Sequence, residues 1–335
     1  MTSFAIGVDL GGTNLRIAAV DEGGKLLEKI TTDTGVARPR DEVIAEMCRA
    51  IQTLAKKRES DGKLAGVGVG VPGIIDLGSG TVRESPNLPG WHDYPVREEV
   101  ERRLGTRVIL ENDANAAALG EKWLGAGREV DDLCIITLGT GVGGGIVLGG
   151  RIWHGMTGMA GELGHITVEP EGPPCGCGNR GCLEQSASAK AIERMAREAA
   201  ASGNAPALAR ATAERDFSSE TVCQLAESGD AAAREIFGRV GRALGIVLAG
   251  LVNTFNLPMY VIGGGVADAW EMFSPVMLEE VRKRSFVYAA TSAGKHATVI
   301  TRARLGSDAG LYGAARLALM REEADAHPRA RWPAR

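Results

Sequence analysis

Residues 4–20 have the sequence Phe-Ala-Ile-Gly-Val-Asp-Leu-Gly-Gly-Thr-Asn-Leu-Arg-Ile-Ala-Ala-Val, in which a glycine-rich turn separates two apolar runs. Buried strands are expected at 4–8 and 17–20, with the turn Asp9–Asn14 between them. Glycine lets backbone amides approach a phosphate closely, and successive amides in a turn form an anion-binding nest. The segment therefore predicts a strand–turn–strand unit whose turn is a candidate phosphate site.

The same pattern recurs later in the chain. An apolar strand is expected at 133–138, a glycine turn at 139–145 and a second strand at 146–148, while Gly263–Gly265 forms a third glycine turn after an apolar run. None of these turns matches the P-loop or the dinucleotide-binding fingerprint. Two such units suggest two related halves that hold a nucleotide between them.

A nucleotide site is the expectation from these turns taken together, although each alone would also fit an ordinary turn after a strand. We expect Asp9 to hold Mg²⁺ through water. The candidate nucleotide-binding residues are Asp9, Gly11, Gly12, Thr13, Asn14, Thr140, Gly141, Gly263, Gly264 and Gly265.

Bulk composition is that of an ordinary globular chain of 335 residues, with 44% hydrophobic residues and a formal net charge of -4. This charge favours neither nucleic acid nor an anionic membrane as a partner. The apolar stretch 243–257 is too short for a transmembrane span, and no secretion signal is visible at the start. A cytoplasmic protein is therefore expected.

A Cys₃His set lies in one loop and consists of His165, Cys175, Cys177 and Cys182. Four such ligands close a tetrahedral Zn²⁺ site and leave no open position for water, which is typical of structural zinc. The alternative is a loop of reduced cysteines. We expect a structural zinc.

Asp113 lies in Glu111-Asn-Asp-Ala-Asn, between an expected strand at 108–110 and an expected helix at 114–124. One interpretation is a helix N-cap, because aspartate accepts hydrogen bonds from free amides at a helix start. The other is a general base that takes the proton from a sugar hydroxyl during phosphoryl transfer. Both roles can coexist, since open α/β sheets bind ligands at strand ends.

Five motifs together resemble the ROK family and, within it, the bacterial glucokinases. The resemblance extends over about residues 5–320, and its last two motifs are highly specific. The motifs are Asp9-Leu-Gly-Gly-Thr-Asn, Glu111-Asn-Asp-Ala-Asn, Leu138-Gly-Thr-Gly-Val-Gly-Gly-Gly, Glu162-Leu-Gly-His165 and Cys175-Gly-Cys-Gly-Asn-Arg-Gly-Cys-Leu-Glu184.

The resemblance implies a two-domain α/β protein with the actin/hexokinase-like (ribonuclease H-like) ATPase fold and a sugar in the interdomain cleft. We expect a small α/β domain at 1–113 and a large one at 114–305, which contains the zinc loop 165–182. The helix at about 306–323 is expected to pack back on the small domain. For 324–335 we expect a disordered tail, with a basic binding segment as the alternative.

The resemblance also implies the activity, an ATP-dependent phosphorylation of the 6-hydroxyl of a hexose, with Asp113 as the base. Alternative substrates are mannose, fructose, N-acetylglucosamine and N-acetylmannosamine. His165 would use one ring nitrogen for zinc and offer the other to the sugar. The residues expected to bind the sugar are Asn112, Asp113, Glu162, His165, Glu184, Gly73 and Asn87.

A sugar-responsive transcriptional repressor is the alternative from another class, because ROK proteins include DNA-binding members with an N-terminal helix-turn-helix. The first strand begins by Phe4 here, so we expect no such domain and no nucleic-acid partner. No membrane partner is expected either, and the resemblance suggests a homodimer or a homotetramer. A sugar-binding protein without catalysis is disfavoured by Asp113.

Overall fold

A computed structural model describes residues 3–292, 294 and 296–326, and for 322–326 it describes the backbone alone. The strands are β1 (Ser3–Leu10), β2 (Asn14–Asp21), β3 (Leu26–Asp33), β4 (Lys63–Val71), β5 (Ile74–Asp76), β6 (Thr81–Glu84), β7 (Val108–Asn112), β8 (Leu133–Leu138), β9 (Val142–Leu148), β10 (Arg151–Ile152), β11 (Met259–Gly263) and β12 (Val299–Arg302). The helices are α1 (Arg40–Lys57), α2 (Val96–Leu104), α3 (Asp113–Trp123), α4 (Glu184–Ala187), α5 (Ala189–Ala201), α6 (Pro206–Ala211), α7 (Ser219–Glu227), α8 (Ala231–Phe255), α9 (Trp270–Arg284), α10 (Phe286–Thr291) and α11 (Ala309–Ala326).

The described chain forms two compact units. The first contains the residues up to Asp131, the segment Gly145–Ala160 and the residues from Ser307. The second contains Asp132–Gly144 and Gly161–Gly306. The chain therefore passes between the units four times, and one of these passages lies inside β9.

The first unit is built on a five-stranded sheet with the strand order β3-β2-β1-β4-β7. β1 pairs antiparallel with β2 and parallel with β4, and β4 pairs parallel with β7. The parallel strands β1, β4 and β7 thus end at one edge of the sheet. Polar residues that follow these strands are brought together at that edge.

The two faces of β1 carry side chains of different size. Phe4, Ile6 and the alternate residues after them pack in a core with α1, while Ala5 packs with α11. A methyl group on Gly7 would collide with the backbone of α11. The small residues of β1 therefore allow the backbone of α11 to lie directly on the sheet.

α3 and α11 pack against each other through glycines. A Cβ on Gly120 would overlap the carbonyl oxygen of Ala309, and one on Gly313 would overlap that of Ala116. β9 also approaches α3, because a Cβ on Gly145 would lie 2.7 Å from the carbonyl oxygen of Ala114. The backbone of α3 is therefore held closely on two sides, which limits its freedom to shift.

A second five-stranded sheet has the order β10-β9-β8-β11-β12, in which β8, β11 and β12 are parallel. The second unit holds β8, β11, β12 and the helices α4–α10. Its longest helix, α8, packs along α9 at Gly241 and Gly245, where a Cβ would meet the backbone of α9. Within the described residues, no helix is long and apolar enough to cross a membrane.

Most expected strands and helices are present, with different ends. The turn expected over 139–145 is wrong in its second half, because Val142 already begins β9. Asn14 is likewise in β2 rather than in the preceding turn. The hairpin β5–β6 and helix α2 were not anticipated. The disorder expected for 324–335 is wrong for 324–326, which continue α11, and the remaining residues 327–335 lie outside the described residues.

Candidate functional site

Three residues of the first unit form a row across the carboxyl ends of its parallel strands. Asp9 of β1 is in register with Gly70 of β4, which in turn is in register with Glu111 of β7. Asp113 begins the helix that follows β7 and lies against the same row, since a Cβ on Gly70 would be 3.6 Å from its Cα. The sheet thus brings three carboxylate residues to one edge, where open α/β sheets bind their ligands.

Asp9 is half-buried, and its Oδ2 accepts a hydrogen bond from Nη1 of Arg16 at 3.0 Å. Burial raises the pKa of Asp9, while the guanidinium of Arg16 opposes this shift. Gly310 at the start of α11 is close to both Asp9 and Asp113: its Cβ would lie 3.5 Å from Oδ1 of Asp9 and 3.8 Å from the carbonyl oxygen of Asp113. The first turn of α11 therefore borders this edge.

Asn112, not Asp113, is the N-cap of α3, so the N-cap interpretation of Asp113 is wrong. Oδ1 of Asn112 accepts hydrogen bonds from the N–H groups of Ala114 at 2.9 Å and Asn115 at 3.2 Å. Oδ1 of Asp113 accepts from the same Ala114 N–H at 2.9 Å. With the cap supplied by its neighbour, the half-buried Asp113 carboxylate is not required for capping.

Two other expected sugar-binding residues of the first unit occupy separate contacts. Nδ2 of Asn112 donates to the carbonyl oxygen of Gly73 at 3.3 Å, which ties β7 to the loop after β4. Asn87 instead lies on the glycine turn after β1, because a Cβ on Gly12 would be 2.9 Å from its carbonyl oxygen. Gly73 is thus brought to Asn112, whereas Asn87 is brought to the candidate phosphate turn.

The turn after β1 is closed by backbone and hydroxyl contacts. The N–H of Gly11 donates to the carbonyl oxygen of Asn14 at 2.9 Å. The hydroxyl of Thr34 donates to the carbonyl oxygen of Gly11 at 2.7 Å, and its N–H donates to that of Thr13 at 2.9 Å. The side chain of Thr13 is exposed. These contacts therefore close the turn and leave Thr13 exposed at its tip.

In the second unit the loop cysteines and His165 converge on one point, with their candidate ligand atoms all within 4.8 Å of one another. Sγ of Cys177 lies 3.7 Å from Sγ of Cys182, and Sγ of Cys175 lies 3.7 Å from Nδ1 of His165. Zn–S bonds of about 2.3 Å give a tetrahedron whose edges are about 3.8 Å. The donor set and its spacing therefore fit a tetrahedral Zn²⁺ ion.

Two of these thiols have shifted pKa values. The backbone N–H of Asn179 lowers the pKa of Cys177, whereas burial raises the pKa of Cys182 to about 12. Near neutral pH a cation is therefore needed to hold the Cys182 sulfur as a thiolate, and its binding there releases a proton.

Nδ1 of His165 faces the cysteines, so its Nε2 points to the other side, where Oε2 of Glu162 lies 3.9 Å away. Partial burial raises the pKa of Glu162; His165 opposes this shift and the carboxylate of Glu184 adds to it. The structure thus brings Glu162, His165 and Glu184 together, as the sequence predicts for a sugar-binding group.

The glycine turn of the second unit is joined to Glu184. The N–H of Val142 donates to Oε2 of Glu184 at 3.0 Å, and a Cβ on Gly141 would collide with that same oxygen. Gly264 packs against the end of β8, because a Cβ added to it would overlap the backbone of Leu138. The turn at 263–265 therefore lies beside the turn at 139–141. Thr140 is exposed at the tip of its turn.

Two site residues were not anticipated from the sequence, Glu111 and His154. In the sequence Glu111 belongs to a motif without a role of its own, although a carboxylate on an apolar strand indicates a buried partner. His154 is isolated in the sequence, and no local pattern connects it to β7. Nε2 of His154 nevertheless lies 2.7 Å from Oε2 of Glu111.

Known proteins match this chain over nearly its whole length. The model of the ROK family matches residues 5–321. A glucokinase of Thermotoga maritima is 43% identical over 92% of this chain and 95% of its own length. A xylose repressor of Caldicellulosiruptor bescii is 32% identical over 84% of this chain and 71% of its own length.

A solved structure supports the same relationship. The ROK family glucokinase from Streptomyces griseus, in complex with glucose and AMPPNP, is 35% identical, with a TM-score of 0.78 over 95% of this chain and 99% of that chain. These matches confirm the fold and the family that the motifs suggested. The chain belongs to the ROK family.

Proposed function

We propose that this protein transfers the γ-phosphoryl group of ATP to the 6-hydroxyl of glucose. The proposal is carried by one observation, the placement of the Asp113 carboxylate in the first turn of α3, where the cap is supplied by Asn112 instead. It is supported by a relative named glucokinase with 43% identity and by a similar structure with glucose and AMPPNP.

Asp113 acts as the general base. As the sugar O6 attacks the γ-phosphorus, the O6–P bond forms, the bond from phosphorus to the β,γ-bridging oxygen breaks, and the O6 proton passes to the Asp113 carboxylate. The products are glucose 6-phosphate and ADP. Because the hydroxyl is a very weak acid, its attack is favoured when a carboxylate accepts the proton within hydrogen-bond reach.

The other polar residues of the candidate site bind the sugar hydroxyls and hold O6 in line for attack. We assign this role to Asn112, Glu162, His165 and Glu184, with Gly73 and Asn87 as further contacts. The Nδ1 of His165 faces the cysteines, which leaves Nε2 available to a hydroxyl. Removal of zinc is therefore expected to affect sugar affinity as well as stability.

The glycine turns bind the nucleotide through their backbone amides. We assign this role to Gly11, Gly12, Thr13, Asn14, Thr140, Gly141, Gly263, Gly264 and Gly265. Mg²⁺ supplies the positive charge that phosphoryl transfer requires, and Asp9 would hold it through water. The ion pair between Asp9 and Arg16 keeps that carboxylate in a defined orientation.

Zn²⁺ is proposed to have a structural role, bound by His165, Cys175, Cys177 and Cys182. Four protein ligands complete a tetrahedral shell and leave no position for a reacting water. The metal thus orders the loop between Glu162 and Glu184.

The decisive experiment is a steady-state kinase assay across hexoses and phosphoryl donors. We expect glucose to have the highest kcat/KM among glucose, mannose, fructose, N-acetylglucosamine and N-acetylmannosamine, with ATP as donor. A higher kcat/KM for an N-acetylhexosamine would replace glucose as the substrate. Absence of turnover with every sugar would reject the kinase.

The physiological partners are proposed to be the hexose and ATP, without nucleic acid or membrane. The chain is 43% identical to the Thermotoga maritima glucokinase but 32% identical to the xylose repressor, which favours the kinase over the regulator. A homodimer or homotetramer is proposed by resemblance, and light scattering would distinguish them. The cytoplasmic location stays a prediction.

A further inference from the structure

A hydrogen-bond network lies directly behind Asp113 in the first unit and is centred on Glu111. This side chain is only 4% exposed, so its carboxylate needs partners for both oxygens. Oε1 accepts from the backbone N–H of Asn112 at 2.9 Å and from Nδ2 of Asn115 at 3.1 Å. Oε2 lies 2.7 Å from Nε2 of His154.

The direction of the His154 contact follows from the other bonds. Because an imidazole is a stronger base than a carboxylate, the shared proton belongs to the ring of His154, whose N–H donates to Oε2 of Glu111. This hydrogen bond raises the pKa of His154, although partial burial opposes the shift. A charge-assisted contact at a buried carboxylate is stronger than a neutral one.

His154 is itself held by the backbone around it. The preceding strand β10 pairs with β9, and the N–H of Trp153 donates to the carbonyl oxygen of Ile146 at 2.8 Å. The carbonyl oxygen of His154 accepts from the N–H of Ala160 at 3.1 Å, which closes the loop after it. The imidazole is therefore presented to β7 from an anchored position.

The network continues from Glu111 to the candidate base. The N–H of Asn112 donates to Glu111, and Oδ1 of Asn112 caps α3 by accepting from the N–H of Ala114. Oδ1 of Asp113 accepts from the same N–H of Ala114. The arrangement resembles a capping box, except that the carboxylate comes from the residue before the cap. Consecutive groups of the network are joined by direct hydrogen bonds, and all of them lie within the first unit.

We propose that Glu111 and His154 are positioning residues, which hold the first turn of α3 and thereby the Asp113 carboxylate in the geometry needed to accept the proton. This proposal rests on the proposed function of Asp113. Neither residue touches substrate in this scheme, so their loss lowers turnover through misplacement of Asp113. Small errors in the placement of a reacting group lower rates strongly.

The test compares His154→Phe, which keeps a ring but removes the donor, with His154→Gln, which retains an N–H donor. We expect His154→Phe to lower kcat about 10- to 100-fold, with the KM of glucose and ATP nearly unchanged. His154→Gln should recover most of the lost kcat. His92→Phe is the matched control, because His92 is 76% exposed in the same unit and should leave kcat unchanged.

A second readout does not depend on activity. In His154→Phe the amides of Ala114 and Asn115 should exchange with solvent about tenfold faster than in the unchanged protein. NMR titration of the zinc-loaded protein should give His154 a pKa above its ordinary value, and Glu111→Gln should lower it. The His154 signal is identified among the five histidines by its loss in His154→Gln.

The results separate this proposal from the proposed function. Unchanged kcat in His154→Phe, equal losses in His154→Phe and His154→Gln, or an unshifted His154 pKa would each overturn the positioning role, even in an active kinase. If the unchanged protein phosphorylates no sugar, the kinase is rejected, and amide exchange and the NMR titration still decide whether His154 orders the start of α3.

Discussion

The start of α3 in the first unit and the cysteine loop of the second unit hold their polar side chains in different ways. At α3, Asn112 ends a paired strand and Asp113 begins the helix, which is packed closely against α11 and β9. The loop from His165 to Cys182 has only short bridges, Thr167 with Cys182 and Pro174 with Arg180, and 176–180 are exposed. One region is thus ordered by regular structure, whereas the other is a loop whose histidine and cysteines converge on a candidate metal site.

This difference predicts that substitutions in the two regions have different effects on turnover, stability and zinc content. A helix that contacts its neighbours at glycines and has a side-chain N-cap keeps its geometry without a cofactor. Substitutions at the start of α3 should therefore change kcat and the free energy of unfolding, but not the zinc content. A loop that buries little apolar surface depends on metal binding for its order, and metal binding free energy then becomes folding free energy. The following changes test this comparison.

The largest effect is expected for Asp113→Asn, which keeps the shape of the side chain but removes the base. We expect kcat to fall by about 10³-fold, because general-base catalysis contributes on that order. The KM for glucose and the zinc content should change little, since the cysteine loop is untouched. Asp131→Asn, at a residue whose side chain is 82% exposed, is the control in the same assay. Near-normal turnover would remove Asp113 from the mechanism.

Next in size is Cys177→Ser, which removes one ligand from the second unit. We expect less than one zinc per chain by metal analysis and a KM for glucose about tenfold higher, equal to about 1.4 kcal/mol. The reason is that His165 is expected to serve both the metal and the sugar. Cys223→Ser, at a cysteine outside the cluster, should change neither quantity. An unchanged KM in verified zinc-free protein would contradict the coupling.

Gly313→Ala tests the packing that holds α3. The new methyl group would overlap the carbonyl oxygen of Ala116, and overpacking of this kind costs about 1–3 kcal/mol. We expect a lower melting temperature and a lower kcat with normal zinc content. Gly238→Ala on α8 is the control, because nothing lies within 4 Å of its Cβ and the change should stabilise that helix. A melting temperature unchanged in Gly313→Ala would show that α3 and α11 can separate freely.

The smallest effect is expected for Gly141→Ala, which pushes the carboxylate of Glu184 away from the turn. Displacement of a side chain from its rotamer costs about 0.5–1.5 kcal/mol, so the KM for glucose should rise about two- to tenfold. Gly139→Ala is the control two residues away, because its Cβ meets nothing within 4 Å. Equal KM values for the two variants would show that the turn does not act on Glu184.

Local patterns were sufficient for much of the fold and for the candidate residues. The glycine turns between apolar runs predicted β1–β2 and β8–β9, and the ligand spacing predicted the cluster of His165 with three cysteines. Helix ends were less well predicted, because Asn112 and Asp113 are both good caps and only the backbone geometry distinguishes them.

Sequence patterns were sufficient to identify the family, the strand–turn–strand units and the candidate metal ligands, because these depend on short-range chemistry. The tertiary structure was needed to find the two residues that we propose to position Asp113. His154 and Glu111 are 43 positions apart, and their contact depends on how β9 and β10 present the following loop to β7. The pairing of a buried carboxylate is a long-range requirement, and its partner is selected by packing rather than by spacing along the chain.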